Sequence, residues 1–291
     1  MAMPTIHHIL FPYDGSERGQ EIVPYVRSLA ERYHARVTII GVVPPTFAHV
    51  PAQAGLHLRE GAEISEWRRH LQSELDRAFL DEFEGVLVDR VAEAGDPAFR
   101  IVDFAHRHDV DLIAMPTRGA GTFRSLLIGS VTAKVLHDAR CAVWTAAHAA
   151  NQTALELPRR VLCAVDGSSG TPALAVWARD FARSIEAFLS LLHVVGPISD
   201  WPAIDSERRL QERVRESARA HIVEILSKAG AVEVPLEVMV GHIVPTVAEK
   251  ARRTSADLVV IGRGRVSEPF GRLRTHAFGI IQRSPCPVVS V

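Results

Sequence analysis

Two kinds of apolar pattern alternate along the chain. Short runs of consecutive β-branched and apolar residues, such as residues 37–43 and 189–195, are typical of buried strands. Between these runs, apolar residues recur at helical spacing, and Ile22, Val26 and Leu29 fall on one face of such a helix. Strands that alternate with helices predict a parallel sheet with right-handed crossovers and helices on both faces.

The whole pattern occurs twice. The Asp-Gly-Ser that follows the first strand at Asp14 recurs at Asp166, after another apolar run. We therefore predict two tandem α/β domains, residues 1–147 and 158–291, each an open parallel sheet. Within them, the polar stretches 62–84 and 204–228, rich in Glu, Arg, Leu and Ala, predict long surface helices.

Composition narrows the class of protein. The 291 residues, of which 47% are hydrophobic and 23% charged, exclude disordered, collagen-like and disulfide-scaffold chains. A net charge of −1 gives no global field toward nucleic acid or anionic lipid, so neither is expected as a partner. No apolar run approaches the ~20 residues of a membrane span, and the first residues lack the pattern of a secretory signal, which predicts a cytoplasmic protein.

Candidate chemistry lies where strands end, because ligands of open parallel sheets bind beyond the carboxyl ends of the strands. Asp14 ends the first strand, and the fourth strand runs into a loop that contains Gly119. Gly129 and Ser130 then open a helix, whose N–H groups and dipole suit a phosphate. Two alternatives stay open here: Asp14 as a helix cap, and the loop as an ordinary connection. The P-loop, the dinucleotide fingerprint and the hydrolase elbow do not match these residues.

These residues resemble the universal stress protein family in its tandem two-domain form. The resemblance rests on Asp14 and on Pro116-x-x-Gly119, nine residues, then Gly129-Ser130. It implies two Rossmann-like five-stranded sheets of order 3-2-1-4-5, with ATP or another adenine nucleotide in the first half, with or without Mg²⁺. The residues that it implies for the nucleotide are Asp14, Val42, Met115, Gly119, Gly129, Ser130 and Val131. Pro116 departs from the family pattern, which has Gly there.

The second half departs further from that pattern. Its loop begins at Gly262 and Gly264, but Arg274-Thr275 stands where Gly-Ser is expected. The residues of a possible second site are Asp166, Val194, Gly262, Gly264, Arg274 and Thr275. The arginines of this loop could hold another anion, or Arg274 could pair with Asp166 in place of a ligand. His193, near the same strand ends, is either a ligand contact or a histidine satisfied within the fold.

The resemblance implies a stress-response protein that uses its nucleotide as a regulatory ligand. We expect no catalytic residue and no metal site, and at most slow ATP hydrolysis. The alternatives are a nucleotide-free interaction scaffold with two degenerate pockets, and a slow hydrolase. The last strand of each half, residues 142–145 and 287–291, is expected to be an edge strand. Such edges associate in the family, so the resemblance implies an intrachain pseudo-dimer and a homodimer of chains.

Overall fold

A computed structural model describes residues 6–45, 60–118, 128–146, 157–197, 206–230, 233–263 and 275–291. The chain divides into two compact units. The first unit is built mainly from residues 6–145, and the second mainly from residues 157–291.

The strands of the first unit follow the order β3-β2-β1-β4-β5. They are β1 (His8–Pro12), β2 (Arg36–Val43), β3 (Val88–Ala94), β4 (Leu112–Pro116) and β5 (Ala142–Ala146). The β1–β2, β2–β3 and β1–β4 pairs are parallel. The helices are α1 (Glu17–Gln20), α2 (Val23–Tyr33), α3 (Glu60–Leu75), α4 (Pro97–Arg107) and α5 (Ser130–Asp138).

The second unit repeats this order as β10-β9-β6-β7-β8. Its strands are β6 (Arg160–Val165), β7 (Phe188–Val195), β8 (Leu236–Val240), β9 (Leu258–Ile261) and β10 (Val288–Ser290). Its helices are α6 (Thr171–Ser184), α7 (Ser206–Lys228), α8 (Ile243–Arg253) and α9 (Thr275–Arg283). The expected class, tandem Rossmann-like sheets of order 3-2-1-4-5, is confirmed.

Burial explains why short apolar runs form these strands. Every residue of β1, β4 and β5 is buried, as expected for parallel strands that are covered on both faces. The α2 helix buries one stripe that includes Val26 and Leu29, in agreement with the helical spacing of the sequence. No helix in the described ranges is long and apolar enough to cross a bilayer.

The helix expected over residues 62–84 ends earlier than its sequence pattern indicates. The α3 helix stops at Leu75, and turns follow it. Phe79 adopts a positive φ of 55°, which breaks the helix, and its ring lies 4.8 Å from the Tyr13 ring and 5.8 Å from the Phe11 ring. Packing against the end of β1 therefore overrides local helix propensity. In the second unit, α7 occupies most of the stretch that was expected to be helical.

Hydrogen bonds at the start of each sheet establish which residues of the two units correspond. In the first unit, the Asp111 carboxylate accepts a bond from the His8 backbone N–H at 3.0 Å. In the second unit, Asp257 accepts the same bond from the Arg160 backbone N–H at 2.8 Å. His8 therefore corresponds to Arg160 and Asp111 to Asp257.

Candidate functional site

Asp14 follows the carboxyl end of β1. It is exposed, and its carboxylate stabilises the turn that it begins. Its Oδ1 accepts a hydrogen bond from the Ser16 backbone N–H at 3.1 Å, and Gly15 between them has a φ of +78°. The cap of α1 is Ser16, whose hydroxyl oxygen accepts from the Gly19 N–H at 3.2 Å. Asp14 is therefore not the helix cap that one reading of the sequence made it.

The strand register brings three of the expected residues to one edge of the sheet. Pro12 pairs with Ile40 on one side of β1, and Leu10 pairs with Ile113 on the other. Two residues beyond the Pro12–Ile40 pair, Asp14 and Val42 are level with each other, and Met115 on β4 is level with Pro12, two residues short of Asp14. Val42 is half-buried and Met115 buried.

The start of α5 is tied to the end of β4. The Gly129 backbone N–H donates to the Thr117 carbonyl at 2.8 Å, and the Thr132 hydroxyl donates to the Pro116 carbonyl at 3.1 Å. Pro116 is the last residue of β4, so its missing N–H and restricted φ fall inside the strand, ahead of the glycine loop. The first turn of α5 is thereby fixed next to the ends of β1 and β4.

The amino end of α5 presents donors in an electropositive position. Gly129 is the N-cap residue and supplies no side-chain cap. Ser130 is exposed and Val131 half-buried, and as first-turn residues their N–H groups have no intrahelical acceptor. Backbone N–H groups and the helix dipole favour an anion at this position. Gly119, the remaining expected phosphate contact, lies outside the described residues.

The corresponding acid of the second unit is held by its own turn. Asp166 Oδ1 accepts from the Ser168 backbone N–H at 2.9 Å and from the Thr171 hydroxyl at 3.2 Å. The Thr171 oxygen in turn accepts from the Gly167 N–H at 3.0 Å, and Thr171 is buried. One oxygen of the Asp166 carboxylate therefore stabilises the start of α6.

The space over the two equivalent glycines differs sharply between the units. A methyl group built on Gly15 would meet no heavy atom within 4 Å in the described part of the chain. A methyl group on Gly167 would meet Ile222 Cδ1 at 3.2 Å, and ring carbons of His193 and His221 at 3.8 Å each. In the described part of the chain, no side chain covers the turn of the first unit, whereas side chains of β7 and α7 cover that of the second.

His193 is satisfied within the fold. Its Nδ1 lies 2.9 Å from the Val165 carbonyl oxygen, so Nδ1 donates to that carbonyl. This agrees with the interpretation of His193 as a histidine satisfied by the fold. His221 and Ile222, which also cover the turn, lie in a charged helical stretch whose sequence carries no signal for this position.

The strand register brings Val194 level with Asp166, and Gly262 level with Val165, at the same edge of the sheet. Val194 is buried, Gly262 is exposed, and a methyl group on Gly262 would lie 3.3 Å from Leu174 Cδ2. Gly264 and Arg274 lie outside the described residues, so the expected Arg274–Asp166 pair stays a prediction. Thr275 is the first residue of α9. Among the described residues, no group of three or more His, Cys, Asp or Glu side chains is placed to hold a metal ion.

Comparison with known proteins agrees with the repeated domain. The model of the universal stress protein family matches residues 5–146 and again 158–291. A universal stress protein of Methanocaldococcus jannaschii is 32% identical over 136 residues, which are 46% of this chain and 78% of that protein. One of Mycolicibacterium smegmatis is 26% identical over 227 residues, or 77% of this chain and 74% of that one.

A solved structure shows the same fold along the full chain. The crystal structure of a universal stress protein from Archaeoglobus fulgidus superimposes with a TM-score of 0.66 at 22% identity, covering 99% of this chain and 96% of the other. Because the family model matches both halves, the chain belongs to the universal stress protein family, as a tandem protein with two copies of the family domain.

Proposed function

We propose that the first unit binds one adenine nucleotide, ATP or a close relative, as a regulatory ligand. The observation that carries the proposal is the open space over Gly15, set against the covered space over Gly167. Both turns have the same backbone conformation, with φ of +78° and +77°. The difference therefore comes from what packs above them: among the described residues, the first unit places nothing over Gly15, where the second places Ile222 and two histidines over Gly167.

Each residue at this edge has a chemical role in the proposal. The exposed Asp14 carboxylate accepts hydrogen bonds from ribose hydroxyls or the base, and the backbone at Val42 borders the base. Met115 supplies an apolar surface beside it. The Ser130 hydroxyl and the Ser130 and Val131 N–H groups donate to phosphate oxygens, and Gly119 and Gly129 admit the phosphates close to the backbone.

Two features favour binding over turnover. Phosphoryl transfer needs a cation at the transferred phosphate and a residue that positions the attacking group. The Lys134 ammonium group, one turn into α5, lies 3.2 Å from the Asp96 carboxylate. This ion pair holds the Lys134 side chain at the start of α4. Any Mg²⁺ would arrive on the nucleotide, because no cluster of metal-binding side chains occurs among the described residues.

The first test is to purify the protein without added ligand, denature it, and count the released nucleotides by mass spectrometry. One adenine nucleotide per chain is expected. Two per chain would show that the second unit binds despite its covered turn. An empty protein that also fails to bind ATP in calorimetry would replace this proposal with the nucleotide-free scaffold.

A matched pair of variants assigns the nucleotide to one unit. Asp14→Ala should weaken ATP binding in calorimetry by about tenfold or more, because a hydrogen bond to a charged group contributes ~1.5–3 kcal/mol. Asp166→Ala removes the equivalent acid and should leave the ATP affinity unchanged. Equal losses in the two variants, or none in Asp14→Ala, would contradict the placement of the nucleotide.

The setting proposed for this activity is the cytoplasm, with the chain associated as a homodimer. Both rest on the resemblance to the family. Light scattering should then give twice the 31.9 kDa of one chain, and a mass of one chain would remove the homodimer from the proposal.

A further inference from the structure

A cavity of about 270 Å³ opens on the second unit at the edge of the sheet opposite to Asp166. It lies between α8 and the first residues of β6, β7 and β8. Leu162 and Ser190 form a register pair on one face of the sheet and line the cavity together with Thr254, and Leu191 and Leu236 of the neighbouring pair also border it. The volume corresponds to roughly nine water molecules at ~30 Å³ each, enough for a small organic molecule.

The corresponding place in the first unit is filled by the protein's own rings. The His8 imidazole is buried there, with its Nε2 at 2.8 Å from the Thr38 hydroxyl and its Nδ1 at 3.0 Å from the His108 carbonyl. The Phe104 ring meets His8 edge-on at 6.4 Å and stacks on the His108 ring at 4.1 Å. A planar nitrogen heterocycle is thus held by a hydroxyl, a carbonyl and an aromatic wall.

The second unit lacks all three of these rings. Arg160 replaces His8 and is exposed, and Thr254 replaces His108. Lys250 replaces Phe104, and its ammonium group binds the Glu237 carboxylate at the wall of the cavity. The cavity is therefore the space that these replacements leave, lined by an ion pair whose charges compensate each other.

The polar partners of the missing ring are still present. Ser190 occupies the position of Thr38, because β6 pairs Leu162 with Ser190 as β1 pairs Leu10 with Thr38. The Ser190 hydroxyl makes no hydrogen bond to any described residue, although its side chain lines the cavity. The Thr254 carbonyl, at the end of α8, corresponds to the His108 carbonyl that accepts from His8.

We infer that this cavity is a binding site for a small planar nitrogen heterocycle of the imidazole type. A ring nitrogen accepts from the Ser190 hydroxyl, a ring N–H donates to the Thr254 carbonyl, and the ring packs on Leu162, which shares the face of Ser190. Phe188, 60% exposed at the mouth, adds apolar surface for a substituent. The neutral ring is favoured over its cation, since Arg160 adds a positive charge at the cavity while Glu237 compensates that of Lys250. The site is separate from the proposed nucleotide site in the first unit.

The test uses the full-length ¹⁵N-labelled protein and imidazole as the probe, at about pH 8.5, roughly two units above the ~6.5 typical of a histidine pKa, so that the ring is neutral. Saturable amide shifts are expected at Arg160, Leu191 and Thr254. Ser190→Ala should weaken the imidazole affinity by about fivefold to tenfold, the effect of one hydrogen bond. Thr38→Ala removes the equivalent hydroxyl of the first unit and should leave that affinity unchanged.

A second variant supplies the ring from the chain itself. Arg160→His places an imidazole at the position of His8, at an exposed residue that tolerates substitution, and should abolish the saturable shifts. Shifts that rise without saturation, or an affinity that is unchanged in Ser190→Ala, would overturn the inference. If Arg160→His does not fold, the comparison of Ser190→Ala with Thr38→Ala decides it.

Discussion

The buried His8 makes the stability of the protein depend on pH in a way that the structure defines. Its side chain sits between Thr38 and the His108 carbonyl, with the Arg36 guanidinium 3.3 Å from Nδ1. Burial lowers the pKa of His8, and the nearby Arg36 charge lowers it further, while the bond to the His108 carbonyl and the Asp111 charge act in the opposite direction. The folded protein therefore holds His8 neutral.

The sign of the effect follows from proton linkage. Below the unfolded pKa of ~6.5, the unfolded chain binds a proton at His8 that the folded chain resists. The stabilising contribution of His8 is therefore fully present above that pH, and it is lost as the pH falls toward the lowered pKa of the folded state. For one proton the free energy of unfolding falls by up to ~1.4 kcal/mol per pH unit in that window.

The assay is urea unfolding of the full chain at about pH 7.5 and at about pH 5.5, on either side of the ~6.5 reference. The control is His8→Gln, whose side-chain amide still offers a hydrogen-bond donor and an acceptor but does not titrate in this range. Other histidines titrate in both proteins. The quantity to compare is therefore the change in the free energy of unfolding between the two pH values, in the wild type and in His8→Gln. We expect the wild type to lose more stability on acidification than His8→Gln. Equal losses would refute the reasoning that burial keeps His8 neutral.

Two further predictions test local interactions. Asp96 caps α4 by accepting from the Phe99 N–H at 2.9 Å, a bond that together with Lys134 lowers the pKa of Asp96. Asp96→Ala should therefore reduce the urea-derived free energy of unfolding by ~1 kcal/mol. Lys134→Ala should reduce it by much less, because Lys134 contributes only an exposed ion pair. Equal reductions in the two variants would contradict the helix cap as the main contribution of Asp96. Burial raises the pKa of the Cys163 thiol, and raises that of Cys286 to about 11, whereas Cys141 is half-buried. A maleimide should accordingly label Cys141 first in the native protein and all three cysteines after unfolding, and early labelling of Cys163 would show that its strand opens.

Local patterns in the sequence were sufficient for the α/β class and its repetition, whereas the strand order was predicted from the resemblance to the family. Apolar runs and helical spacing repeat in the two halves, and alternating strands and helices leave few topologies for a parallel sheet. The same local signals placed Asp14 at the end of β1 and Gly129 at the start of α5. Each of these depends on backbone conformation and on neighbours close in the chain, which a single sequence records.

The tertiary structure decided what fills the space around those elements. Phe79 ended a helix that the sequence pattern continued, because its ring packs against Tyr13 across the fold. His221 and Ile222, far along the chain from Gly167, cover the second turn, whereas no described residue covers the equivalent turn at Gly15. Similar strand patterns are compatible with a filled site and with an open one, because filling depends on side chains brought together by folding. The sequence therefore determined where ligands could bind, and packing between distant segments decided which of those places is open.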